Sequence, residues 1–337
     1  MDWFERLTGF RESGYAETQA RLEAADGRLR SLVNGASYGI GTLELVALHD
    51  LRARAKAAGG PAGRLRMQVI EGDVRQLHRA AENAGALFQV ASQFNLLEMD
   101  SDSITPEQGV TRYQHDGTQG PACAIAAGAA TIYRNYLVPI GNAHGQTATR
   151  QLDGLADLGA ALSSALNRPV GDLWTMRNGY ALATRAGLDA ITKYLGTITP
   201  DAIDDLRGKL RIGLQTDVEV TDRKGPDRHH VSQAFCSALP LGYSDVAKRH
   251  WAAFAALVLE AAYEATLWAA VLNAQSGRSN VLFLTLLGGG VFRNDRQWIL
   301  AAIRRALALV ANLDLDVRLV SHGPPSADLL ALAASFP

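Results

Sequence analysis

Residues 66–74, RMQVIEGDV, residues 86–95, ALFQVASQFN, and residues 281–295, VLFLTLLGGGVFRND, decide how this chain folds. Each is a short apolar run that ends in a polar or glycine-bearing turn. That is the pattern of a strand buried on both faces that leaves its sheet at the carboxyl end. Working outward, 131–138, 210–220, 231–238 and 317–321 also read as strands. Residues 122–130, 151–166, 184–195, 251–274 and 296–311 carry helical patterns between them. Strands alternating with helices predict an α/β protein of three layers, a mixed sheet flanked by helices.

Residues 17–32 and 43–58 read as two helices, so 1–60 is expected to be a helical extension. It closes at Gly59-Gly60-Pro61-Ala62-Gly63, a break in any regular element. The α/β domain then spans 61–337, with a mostly helical insertion at about 141–205, and Asp222 to Arg228 is a polar turn between strands.

Composition narrows the function classes. A chain of 337 residues with 47% apolar and 20% charged residues suits a soluble globular protein with a sizeable core. A net charge of −1 provides no field to gather nucleic acid non-specifically. The two cysteines, Cys123 and Cys236, lie among small or apolar residues and read as buried thiols. The start, MDWFERLTGF, has no apolar core of signal-peptide length. Glu260 and Glu264 interrupt the long apolar run 252–274, which therefore reads as a core helix and not a membrane span. A cytoplasmic protein with no membrane partner is the expectation. The histidines lack metal-ligand spacing, so neither a metal nor a cofactor is expected.

Three features, the third a pair of glycine-bearing loops, point to a nucleotide diphosphate. Asp73 at a strand's carboxyl end can accept from an adenine amino group, although capping the next segment is the plainer role. Asn95 follows the second strand and suits either a ribose diol or a turn. Thr118-Gln119-Gly120-Pro121 opens a helix of very small residues, whose amino end favours an anion. Gly288-Gly289-Gly290 is a costly run unless positive φ or close approach to a phosphate requires it. By contrast, Asn34 to Gly41, NGASYGIG, imitates a dinucleotide loop and also contains Gly-x-Ser-x-Gly. It lacks the strands and partners that either motif needs, and reads as a glycine-rich connector.

The run Val69 to Val74 followed by Phe88 to Asn95 resembles the opening of macrodomains, where a Gly-Asp-Ile/Val turn precedes a strand ending in Asn. Leu286 to Phe292 looks like that family's second phosphate loop, and Leu315 to Val320 like its last strand. The large size is similar to the poly(ADP-ribose) glycohydrolase-like branch. The resemblance implies a macrodomain-like sheet and an ADP-ribose ligand. It places adenine at Asp73 and Val74, the distal ribose at Asn95, and pyrophosphate between Gln119-Gly120 and Gly288, Gly289, Gly290, Val291 and Phe292. One departure matters: residues 96–122 contain neither Gly-Gly-Gly nor the paired glutamates of that branch. A catalytic carboxylate must be chosen by position, and Asp116 and Glu98 are the candidates. The expected activity is an ADP-ribosyl hydrolase acting on an ADP-ribose conjugate; the alternative is a non-catalytic module binding ADP-ribose or an NAD metabolite.

Overall fold

The computed structural model describes residues 1–223, 225 and 227–336. Seven strands form the main sheet: β1 (Thr42–Ala47), β2 (Arg66–Glu71), β3 (Leu87–Ala91), β4 (Arg211–Glu219), β5 (His230–Cys236), β6 (Val281–Leu284) and β7 (Asp316–Ser321). Their order is β1-β4-β5-β3-β6-β7-β2. The five strands from β5 to β2 are parallel, so their carboxyl ends share one edge. β4 runs antiparallel to both β5 and β1.

Successive residues of a buried strand face opposite layers. Leu87 and Leu282 point into the core built on the long helix, whereas Phe88 and Phe283 point into the other. Six helices matter for the layers: α1 (Leu48–Ala58), α2 (Val74–Arg79), α3 (Gln119–Ala126), α4 (Gly128–Tyr136), α5 (Ala252–Gln275) and α6 (Arg296–Leu309). α5 packs between α1 and α6 on one face, and α2, α3 and α4 cover the other. The three-layer mixed α/β architecture is thus the one the strand pattern predicts.

α5 is apolar almost all round and is long enough to cross a bilayer, yet most of it is buried inside the protein. Its two glutamates are accounted for by arginines. Glu260 pairs with Arg207, and the buried Glu264 pairs with Arg52 of α1 and Arg305 of α6. Cys123 and Cys236 are free and buried.

Residues 1–60 differ from the expectation. Residues 17–32 form a short helix end and then a hairpin, Leu22–Ala25 against Arg28–Ser31, extended by Ser37–Gly39. Asp26 and Gly27 both adopt positive φ, as a two-residue hairpin turn demands, and Asp-Gly supplies it. The glycine-rich stretch 34–41 is therefore partly strand. Within 43–58, the alternating TLELVA forms β1, so this segment contributes to the main sheet and only 48–58 is helical. Residues 131–138, read as a strand, belong mostly to α4. There Thr131 bonds its hydroxyl to the Ala124 carbonyl, and the helical face is buried against the N-terminal segment.

Phe88 is fully buried, stacked 3.7 Å from His78 and 4.4 Å from Phe283. Phe88→Ala should lower stability by ~3–5 kcal/mol in urea denaturation, because the stack leaves a cavity that the strands cannot close.

Candidate ligand cleft

β3 pairs with β6 only through Leu87 and Phe88. β6 ends at Leu284 while β3 continues to Ala91. On that open side the Gln119 carboxamide stands in for a strand. Its Oε1 accepts from the Ala91 amide and its Nε2 donates to the Gln89 carbonyl, each at 2.8 Å. The two strands diverge here, and a cleft of about 820 Å³, open mouth included, occupies the carboxyl edge of the sheet. Ligands of open parallel sheets bind in such crevices.

One wall is the loop after β6. Gly288 has φ +74°, and a Cβ there would lie 2.5 Å from the Ala238 side chain and 2.7 Å from that of Asn294. Asn294 fastens the loop by donating to the Leu239 carbonyl at 2.8 Å. Among the described residues, the backbone N–H groups of Gly290, Val291 and Phe292 have no protein acceptor. Three successive amides beside an exposed turn are thus left without a protein acceptor, as in backbone concavities that can take an anion. The facing wall is the start of α3, whose first-turn amides lack intrahelical acceptors. Gly120 permits the approach: a Cβ would sit 2.0 Å from the Ala91 carbonyl oxygen.

Glu98 closes the inner end. The turn that carries it is clamped by Gln93, whose side chain accepts from the Met99 amide at 3.0 Å and donates to the Met99 carbonyl at 3.1 Å. Its own amide donates to the Tyr113 hydroxyl at 3.0 Å. Glu98 Oε1 lies 3.5 Å from Arg134, while Oε2 is buried without a protein partner. Burial pushes this carboxyl up to about 7, against the pull of the Arg134 guanidinium. Arg134 is itself held by the Leu96 carbonyl, the Gln215 side chain and the Phe235 ring.

Of the residues singled out from sequence, Glu98, Asp116, Gln119, Gly120, Gly288, Gly290, Val291 and Phe292 converge on this cleft. Asp116 reaches it from the α3 side and accepts from the Thr118 amide at 2.8 Å. Asn95 does not line it. It is fully buried, accepts from the Leu97 amide and donates to Gln151, so it shapes the turn in which Leu96 takes φ +65°. Asp73 also lies outside the lining and caps α2 through the amides of Arg75 and Gln76. Val74 is buried in the front core. Gly289 donates to the Leu286 carbonyl within the loop.

An aromatic wall completes the cleft, and two of its three members, Tyr180 and Tyr243, had no sequence signal. Tyr180, Tyr243 and Phe292 stand 4.9, 5.4 and 5.8 Å apart in pairs, and they come from three distant parts of the chain. The Tyr180 hydroxyl donates to the Met99 carbonyl at 2.6 Å, which ties the wall to the Glu98 turn.

No family model matches the chain, and no curated protein matches its sequence. Among solved structures it is similar to poly(ADP-ribose) glycohydrolase from Deinococcus radiodurans in complex with ADP-ribose, at 14% identity and TM-score 0.46, covering 97% of each chain. It is also similar to poly(ADP-ribose) glycohydrolase from Thermomonospora curvata bound to the inhibitor ADP-HPD. There the identity is 15% and the TM-score 0.41, over 95% of this chain and 97% of that one.

Two outcomes follow from the geometry. Gly288→Ala should lower the melting temperature, because positive φ and the Ala238 contact both oppose a methyl group, whereas Gly290→Ala enters open space and should leave it unchanged. Glu98 has a folded-state pKa above its ordinary value, so stability present below about pH 4.5 is lost as pH rises through about 7. Glu98→Gln should therefore be more stable than the parent at pH 8, by on the order of 1 kcal/mol or more, with the difference shrinking towards pH 4 in denaturation curves.

Proposed function

We propose that the cleft binds an ADP-ribose-type ligand and that the protein hydrolyses the bond at its distal ribose. The observation that carries this reading is one juxtaposition: Glu98, whose buried carboxyl keeps one oxygen without a protein partner, belongs to the lining of the cleft that also holds the free amides of Gly290, Val291 and Phe292. Backbone donors from that loop and from the start of α3 suit a diphosphate without a basic side chain. The order of the Gly-Asp, Asn and Gly-Val-Phe segments, which resembles that of macrodomains, agrees with this ligand.

Glu98 rather than Asp116 is the proton-transfer group. An ionised carboxylate held in a buried site is a stronger base than an exposed one, and a value near 7 suits it to water at neutral pH. Water's oxygen bonds to the distal C1″ as the bond to the attached group breaks, and Glu98 Oε2 takes the water proton. Asp116 sits across the cleft and holds the α3 start through Thr118. A binding-only module is the second reading, favoured by the lack of paired glutamates in residues 96–122.

Calorimetry with ADP-ribose and AMP, followed by assay of ADP-ribose release, tests the proposal. ADP-ribose should bind more tightly than AMP. Glu98→Gln should keep that affinity while losing at least ~10²-fold in rate. The parent rate should rise with pH and level off above about pH 7, since the base must be ionised. Tight binding with no release from any conjugate would establish the module instead. Failure to bind ADP-ribose would remove both readings.

A further inference from the structure

The cleft is lopsided in charge. Among the described residues that line it are three carboxyl groups, Glu98, Asp100 and Asp116, and no lysine or arginine. Arg112 offsets Asp100 from outside the lining, at 3.2 Å, while Asp116 has no ion-pair partner among the described residues. Asp100 also adjoins the aromatic wall, for the Tyr243 hydroxyl donates to its carbonyl at 3.4 Å. Aromatic faces and carboxylates together attract a cation, and the more so where water is partly excluded.

The proton inventory points the same way. Glu98 is the one fully buried carboxyl in the lining, and its free oxygen can serve water or a leaving group, not both at once. A leaving group that is already positive departs with the bonding electron pair and needs no acid. A neutral oxygen leaving group would need a second proton donor.

We infer that the group attached to the distal ribose is a planar cation joined through nitrogen, a guanidinium or a pyridinium. This rests on the reading of the cleft as a distal-ribose hydrolase site. The C1″–N bond breaks with its electron pair moving to nitrogen, and water's oxygen bonds to C1″ while its proton passes to the Glu98 carboxylate. A pyridinium leaves as the neutral base and Glu98 returns its proton to solvent. A guanidinium leaves as guanidine and takes that proton, regaining its charge.

The test uses the full chain and three substrates: a peptide ADP-ribosylated on arginine, NAD, and the matched peptide ADP-ribosylated on serine. At least one cationic substrate should exceed the serine conjugate by about tenfold or more in kcat/KM, and the two arms show which cation is preferred. Asp100→Asn combined with Asp116→Asn should pull that ratio towards one, with release from the serine conjugate as the internal reference. Each single variant, assayed the same way, covers a double variant that fails to fold. Equal or faster release from the serine conjugate, or a ratio unmoved by the variants, overturns the cation inference and leaves the hydrolase standing. No release from any substrate, or no ADP-ribose binding, overturns both.

Discussion

The Gln119 carboxamide completes a backbone ladder that β6 abandons, and the cleft depends on it. Past Leu284, β6 leaves the sheet, which would strand the Gln89 carbonyl and the Ala91 amide in the interior. A buried backbone group without a partner costs about 1–3 kcal/mol, so strands do not simply part. One side chain supplies both missing bonds. It can do so only because α3 begins at Gln119 and Gly120 lets that helix rest on the Ala91 carbonyl. The divergence then costs little, and the carboxyl edge of the sheet opens beside free helix amides. Gly288 repeats the logic on the opposite wall, where the chain turns back against Ala238 and Asn294 and three amides are left without a protein acceptor.

Two buried glutamates show how environment sets the state of a carboxyl. Burial would raise both. Around Glu264, hydrogen bonds from Arg52 and Arg305 outweigh it and hold the carboxyl below its ordinary range. Both oxygens are bonded, and the group fastens α1, α5 and α6 together. Glu98 has one arginine at 3.5 Å and one bare oxygen, and burial prevails. A carboxyl of the second kind in a ligand-sized cleft is a candidate for proton transfer; one of the first kind is a clamp.

How much of this was legible in sequence follows from the range of the forces involved. β3 and β5 are buried on both faces over nearly their whole length and announce themselves, whereas β2, expected to be buried likewise, is an edge strand that exposes Arg66, Gln68 and Glu71. Gly288 was legible because positive φ is a local demand. Residues 131–136 misled because Thr131, Ile132 and Tyr133 favour strands locally, while burial against Trp3, Phe4 and Leu7 decides for helix. The hairpin at Asp26-Gly27 carried a turn signal that the charged periodicity around it obscured. Asn95 and Asp73 were placed on the right turns, yet their side chains serve the backbone. Tyr180 and Tyr243 could not be linked from sequence, since only the fold brings the insertion and the turn after β5 to one wall.

The central claim is that the divergence of β3 and β6 builds an anion-binding ligand cleft. Titrating ADP-ribose into the ¹⁵N-labelled protein and following backbone amide resonances tests it most directly. Saturable shifts should concentrate at Gly290, Val291 and Phe292 and at Gln119 and Gly120. Shifts confined elsewhere, for instance to the groove around Arg52, Trp268 and Arg305, or no shifts at all, would contradict it.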